Sequence, residues 1–186
     1  MKYLIIGGVA GGATTAARLR RLDENCEIVL FERGAHISYA NCGLPYYIGG
    51  TIPDREALFV QTPESFGSRF NIDVRVFNEV IAIKREAKFV EVKNVKTGVI
   101  YKESYDKLVL SPGAEPVRPA LTGIDDPAIF TLRNVLDTDT IKKFITKTQP
   151  KRAVVVGAGF IGLEMAENLH KLGIRVTIVE MAEQMM

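Results

Sequence analysis

Residues 151–180 read KRAVVVGAGFIGLEMAENLHKLGIRVTIVE, and three glycines inside that stretch decide the fold. Lys151 to Gly157 is an apolar run with the pattern of a strand buried on both faces. The turn Gly157-Ala158-Gly159-Phe160-Ile161-Gly162 is a full G-x-G-x-x-G. In such a turn the first glycine makes the tight bend and the second admits a pyrophosphate against the backbone. The third lets helix and strand pack closely. Phe160 to Leu172 then carries helical spacing, and Ile174 to Glu180 reads as a second strand. Glu180 ends that strand, where a carboxylate can hold two ribose hydroxyls and repel a 2′-phosphate, which favours NADH over NADPH.

The same unit opens the chain. Residues 2–7 form an apolar run ending in glycine, 11–22 have helical spacing, and Glu27 to Phe31 lead to Glu32. The turn here reads Gly7-Gly8-Val9-Ala10-Gly11-Gly12, so the middle fingerprint position is Val9 and the plain pattern fails there. Gly7, Gly12 and Glu32 keep their spacing, and a branched residue at position 9 implies a slightly different backbone approach, not a lost site.

Between the two copies, residues 34–71 read as a looser region with short helical pieces, one starting at Pro63. From Ile72 to Leu110 the alternation turns toward period two, at Val74, Val76, Val80, Ala82, Phe89 and Val92. This predicts antiparallel strands with a hairpin turn at Thr97-Gly98. The charge-rich Lys84 to Lys96 stretch reads as a solvated sheet edge. Four of the eight prolines fall in 112–127, the best linker candidate, and Asn134 to Thr148 reads as a helix. The expected fold is therefore α/β, with two Rossmann-like nucleotide-binding units, an antiparallel β insertion and an incomplete second unit. The expected domains are 1–115 and 116–186.

Composition narrows the function. With 186 residues, 47% of them apolar, the chain can bury a real core, and its net charge of +2 with interspersed signs argues against nucleic-acid binding. No apolar run approaches the roughly 20 residues that span a bilayer, and residues 1–9 lack the pattern of a signal peptide. No metal site is assigned. The two cysteines, Cys26 and Cys42, read as reduced thiols in a cytosol. Cys26, leading into a strand, reads as a bland position. Cys42 lies in Ser38-Tyr39-Ala40-Asn41-Cys42-Gly43-Leu44-Pro45-Tyr46-Tyr47, with no second cysteine nearby. It is either a redox sulfur whose partner comes from a substrate or a buried structural cysteine.

Two dinucleotide units with a cysteine loop after the first resemble the pyridine nucleotide-disulfide oxidoreductase superfamily. The loop SYANCGLPYYIGG is similar to its single-cysteine branch, and within that to the coenzyme A disulfide reductases. GGVAGGATTAARLRRLDE, YDKLVLSPGAEPVRP and TLRNVLDTDTIKKF fit the same family, so the resemblance covers essentially the whole chain. It implies FAD in the first unit, NAD(P)H in the second, and Cys42 as the redox-active sulfur between flavin and a coenzyme A disulfide substrate. Gly7, Val9, Ala10, Gly11, Glu32 and Arg33 would hold the FAD adenosine and pyrophosphate. Ser111 and Gly113 would supply a second flavin-contacting turn, with Arg133 a further contact. Gly157, Gly159, Gly162 and Glu180 would hold the nicotinamide dinucleotide, and Phe160 takes the family's aromatic gate position. Glu164, near the expected nicotinamide, reads equally as an exposed helix carboxylate.

Thr14, Arg18 and Arg21 are spaced four and three apart and line one helix face. The resemblance makes that face the coenzyme A nucleotide site, although a solvated face explains arginines as well. Phe70 stands where some relatives carry a lysine for this substrate. Asn41 and Ser38 would orient the sulfur or the pantetheine end, or merely cap a helix over Gly43 to Ile48. A helix start near Gly43 and the flavin site would favour the Cys42 thiolate.

The nearest rivals are NADH peroxidase and water-forming NADH oxidase, whose cysteine cycles through sulfenic acid, and a coenzyme A persulfide reductase. The first two usually carry a histidine where this chain has Ala10, which favours thiol–disulfide exchange. His36 and His170 read as ordinary surface residues. The resemblance also implies a cytoplasmic homodimer whose further residues complete the nicotinamide domain and the partner's active site. A piece ending at Met186 is therefore expected to be an inactive nucleotide-binding fragment of an enzyme.

Overall fold

The computed structural model describes residues 1–185. In chain order its elements are β1 (Lys2–Ile6), α1 (Ala10–Leu22), β2 (Glu27–Glu32), α2 (Leu44–Ile48), α3 (Pro63–Phe70), β3 (Asp73–Val76), β4 (Asn78–Lys84) and β5 (Phe89–Asn94). There follow β6 (Ile100–Ser104), β7 (Lys107–Leu110), α4 (Val135–Thr148), β8 (Arg152–Val156), α5 (Phe160–Lys171) and β9 (Arg175–Val179). They gather into two compact units: Met1–Tyr39 with Phe59–Ala114, and Ala40–Leu58 with Glu115–Met186. The change from one unit to the other falls between Ala114 and Glu115, and Ala40–Leu58 groups with the later residues.

The first unit is built on a four-stranded sheet in the order β3-β2-β1-β7, parallel throughout. Along β2 successive side chains leave on opposite faces. Ile28 and Leu30 join α1 and α3 in one core, through Ala13, Ala16 and Phe66. Val29 and Phe31 join Leu4, Val90 and Val92 in a second core. That second core is roofed by an antiparallel sheet, β4-β5-β6. A central parallel strand covered on both faces has to be apolar at every position, and the run Ile28–Phe31 is. Each of these side chains, taken fully from water, contributes about 1.5–3 kcal/mol.

Two sequence expectations need correction. The alternating Val74 and Val76 lie on β3, which pairs parallel to β2, and Leu108 and Leu110 lie on β7, parallel to β1. Only β4, β5 and β6 are antiparallel. Alternation reports a half-buried strand, which the edge of a parallel sheet also produces. The charge-rich Lys84–Lys96 stretch is for the most part no edge: beyond Lys84, which ends the edge strand β4, it holds β5, the middle strand of its sheet. Its Val90 and Val92 are fully buried while Glu91 between them points away. The hairpin turn after β5 does place Gly98 at φ +76°, where glycine carries no steric penalty.

In the second unit β8 and β9 pair in parallel, Arg152 opposite Arg175 through Val156 opposite Val179. α5 crosses between them. Ile48 of α2, Ile141 of α4, and Met165 and Leu169 of α5 form its core. α4 begins on a reciprocal cap: Asp137 N donates to Asn134 Oδ1 at 3.0 Å, and the Asp137 carboxylate accepts from Asn134 N at 3.2 Å. Among the described residues no helix is long and apolar enough to cross a membrane.

Candidate functional site

The first cradle sits at the carboxyl ends of β1, β2 and β7, where open α/β sheets take their ligands. Gly7 leaves β1 at φ +95°, and a Cβ on it would lie 2.0 Å from the Ser111 carbonyl oxygen. Gly12, one helical turn on, brings α1 so close that its own Cβ would lie 1.7 Å from Gly7 O. Val9 caps α1 without any side-chain hydrogen bond, and no acidic residue stands in the first turn. The leading backbone N–H groups and the positive end of the helix dipole are thus left for an anion. Glu32, at the end of β2, accepts from Gly8 N at 2.9 Å and Gly34 N at 2.8 Å. Its carboxylate is held beside the turn, where a ribose would follow a pyrophosphate.

The second cradle repeats this geometry. Gly157 turns at φ +96°, and a Cβ on Gly162 would lie 2.0 Å from Gly157 O. α5 likewise starts with no side-chain cap at Gly159 and no acid in its first turn. Glu180 accepts from Ala158 N at 2.6 Å, Met181 N at 2.7 Å and Ala182 N at 2.9 Å. Those three backbone donors, Ala158 foremost, hold its carboxyl below the usual value, so it is a carboxylate at neutral pH. Among the described residues Ser111 closes over Gly7, and none lies within 4 Å of a Cβ on Gly157. Both turns fit a dinucleotide, because the close-packed third glycine draws an uncapped helix start up against each turn.

Other expected site residues take clear positions. Ala10 and Gly11 are exposed at the start of α1, and Ser111 Oγ would lie 3.1 Å from a Cβ on Gly11. Gly113, two residues on, has φ +73°. Arg33 is exposed just after β2, and Thr14, Arg18 and Arg21 share one exposed face of α1. Ser38 sits at φ +46°, and its carbonyl accepts from Val60 N at 2.9 Å and Gln61 N at 3.3 Å. It serves the first unit as a turn residue, not as a helix cap.

In the second unit Arg133 pairs with Glu115 at 3.2 Å. Phe160, the first residue of α5, is 72% exposed. Glu164 is half-buried, with its carbonyl accepting from Asn168 Nδ2 at 2.8 Å.

Cys42 occupies a one-turn 3-10 helix, Asn41–Gly43, running directly into α2. It is an exposed free thiol, and Asn41 beside it is exposed too and makes no cap bond. The turn is tight because Gly43 is buried: a Cβ there would lie 3.1 Å from Leu58 and 3.2 Å from Ile52. Cys26, by contrast, is 3% exposed, its sulfur donating to Asp23 O at 3.1 Å. Sequence reasoning missed how the thiol's segment is held. Arg55 grips both oxygens of Asp139, and Lys142 Nζ donates to Tyr47 O at 2.7 Å. These pairs stand 84 and 95 positions apart, beyond any local spacing signal.

The chain belongs to the pyridine nucleotide-disulphide oxidoreductase family, whose model matches residues 1–186. It is 46% identical over 183 residues to a coenzyme A disulfide reductase of Staphylococcus haemolyticus, covering 98% of this chain. Among solved structures it resembles the reduced CoADR-RHD of Bacillus anthracis, at 57% identity and a TM-score of 0.96 over the whole chain. It also resembles an NAD-dependent persulfide reductase from A. fulgidus, at 35% identity and a TM-score of 0.94 over the whole chain. The chain spans 41% of the length of the staphylococcal relative, 33% of the Bacillus chain and 34% of the persulfide reductase.

Proposed function

We propose that this chain carries the FAD site, the NAD(P)H site and the redox sulfur of a coenzyme A disulfide reductase. The observation that carries the reading is one exposed free thiol, Cys42, in a chain whose only other cysteine is buried. Within these 186 residues no second exposed thiol stands ready to close a disulfide with Cys42, so this reading takes the partner sulfur from the substrate. The first cradle, with Gly7, Val9, Ala10, Gly11, Glu32, Arg33, Ser111 and Gly113, holds FAD, and Arg133 is a further contact. The second, with Gly157, Gly159, Gly162 and Glu180, would hold the nicotinamide dinucleotide, with the exposed Phe160 as its aromatic gate. Together the two cofactors supply the two electrons of the reduction.

The protein's own step is thiol–disulfide exchange. The Cys42 thiolate attacks one sulfur of coenzyme A disulfide, a Cys42–coenzyme A disulfide forms, and one coenzyme A thiolate leaves. Arg18 and Arg21, with Thr14 on the same face of α1, suit the substrate's phosphates through charge-assisted hydrogen bonds. Ser38 and Asn41 flank the sulfur in sequence and are assigned to the pantetheine end. The enzyme is assigned to the cytoplasm and to a homodimer, following the same family reading.

Incubation of the reduced chain with coenzyme A disulfide tests this without any turnover. Mass spectrometry is expected to find one coenzyme A adduct on Cys42 and one thiol released per chain. Cys42→Ser abolishes both, and Cys26→Ser keeps both. No adduct from the disulfide, together with ready sulfenic acid formation by peroxide, would favour the peroxidase reading. An adduct formed only from coenzyme A persulfide would favour the persulfide reductase.

A further inference from the structure

The segment that bears Cys42 is tied to the second unit at three successive points. Tyr47, on α2, receives Lys142 of α4 twice: its carbonyl accepts from Nζ at 2.7 Å, and the ammonium lies 3.6 Å from the centre of its ring. Gly49 touches α5 so closely that a Cβ would lie 2.2 Å from Asn168 Oδ1, and Asn168 is fully buried. Arg55 engages Asp139 of α4 in a fork, Nε at 3.0 Å from both carboxylate oxygens and Nη2 at 2.9 Å from Oδ2. Ile48, between the first two ties, is buried against Ile141, Met165 and Leu169.

Cys42 itself has little to hold it except its backbone. Gly43 N donates to Ala40 O at 2.9 Å and Leu44 N to Asn41 O, which welds the thiol's turn to the start of α2. The sulfur's position therefore follows from wherever α2 and the Arg55 turn are clamped.

We propose that Arg55, Asp139 and Lys142 are positioning residues for Cys42, locking the Ala40–Leu58 segment to α4 so that the exposed thiol is presented in one orientation to a disulfide substrate. The chemical part rests on the function proposed above; the mechanical part stands without it.

Two measurements on the full chain separate these parts. In Asp139→Asn and Lys142→Met, amide hydrogen exchange over Ala40–Leu58 is expected to rise about fivefold, the scale of one lost charge pair of good geometry. The β8–α5–β9 amides should keep wild-type rates. Adduct formation by Cys42 with coenzyme A disulfide should slow about fivefold, while its alkylation by iodoacetamide stays within twofold (roughly the noise of additive effects). Reversing the pair, with Arg55→Asp and Asp139→Arg together, should recover part of the loss.

If exchange over Ala40–Leu58 does not change, or rises equally across the whole second unit, the lock does not exist. Should Asp139→Asn fail to fold, Arg55→Lys decides, since it keeps the charge but loses the fork. Normal exchange changes with no wild-type adduct would instead sink the substrate reading and leave the lock standing.

Discussion

At the scale of single residues, the two cradles are the same device. Gly7 and Gly157 share a left-handed backbone, φ +95° and +96°, and among the described residues Gly7 alone lies under a carbonyl, that of Ser111. Alanine at either position is forced into a conformation costing about 1–2 kcal/mol. At Gly7 the overlap with Ser111 adds about 1–3 kcal/mol of overpacking. Denaturant midpoints should therefore fall further for Gly7→Ala than for Gly157→Ala, at unchanged m-value. Equal losses would mean that the Ser111 strand yields without cost. The glycine spacing, the failure of the pattern at Val9 and both terminal glutamates were legible in the sequence, because each is fixed by a local turn. The Ser111 lid was not legible as packing, because it reaches Gly7 only through the pairing of β1 with β7. Cys42 was legible as a lone sulfur; its exposure was not, since the same apolar neighbours would also suit a buried cysteine.

At the scale of elements, direction and order of strands were what sequence periodicity could not supply. Val74 and Val76 alternate because β3 is an edge strand with α3 on one face, and the same pattern would serve an antiparallel hairpin. Beyond the apolar core, a polar tie joins β1, β3 and β6. Lys2 of β1 lies 2.7 Å from Glu103 of β6, and Arg75 of β3 donates to the other Glu103 oxygen. Burial alone would push the Glu103 carboxyl up, but the hydrogen bonds from Lys2 and Arg75 outweigh it and hold it below the usual value. A depressed carboxyl contributes stability that is present above its unfolded value, near 4.5, and is lost as pH falls through the folded one. Glu103→Gln should cost about 1.5–3 kcal/mol at neutral pH, the worth of hydrogen bonds to a charged group. The gap to wild type should narrow steadily below pH 4.5. A gap that stays constant in urea titrations from pH 7 to pH 3 would show that the network adds nothing through charge.

At the scale of the whole molecule, duplication is the feature that most constrains function. Two β-α-β units end in a carboxylate that faces its own glycine turn, Glu32 toward Gly8 and Glu180 toward Ala158. The chain thus repeats one glycine turn with its carboxylate, and on the function proposed above the charge of the second bears on which dinucleotide it takes. Glu180 is fully ionised at neutral pH, and it stands where an adenosine ribose would be gripped. Its charge accepts the ribose hydroxyls but opposes a 2′-phosphate, so NADH should raise the unfolding midpoint more than NADPH at equal concentration. The shift follows mass action, about 2.7 kcal/mol at a hundred times the dissociation constant. Glu180→Gln removes the repulsion while keeping an acceptor. At an exposed, screened site the change should be modest, roughly fivefold in the ratio of the two dissociation constants. Titration calorimetry with both nucleotides checks this, and an unchanged ratio would remove Glu180 from nucleotide choice. Since the bonds Glu180 makes among the described residues are to backbone of the second unit, the same variant should leave FAD binding at the first cradle untouched. A parallel loss of FAD would instead mark a general loosening of the fold.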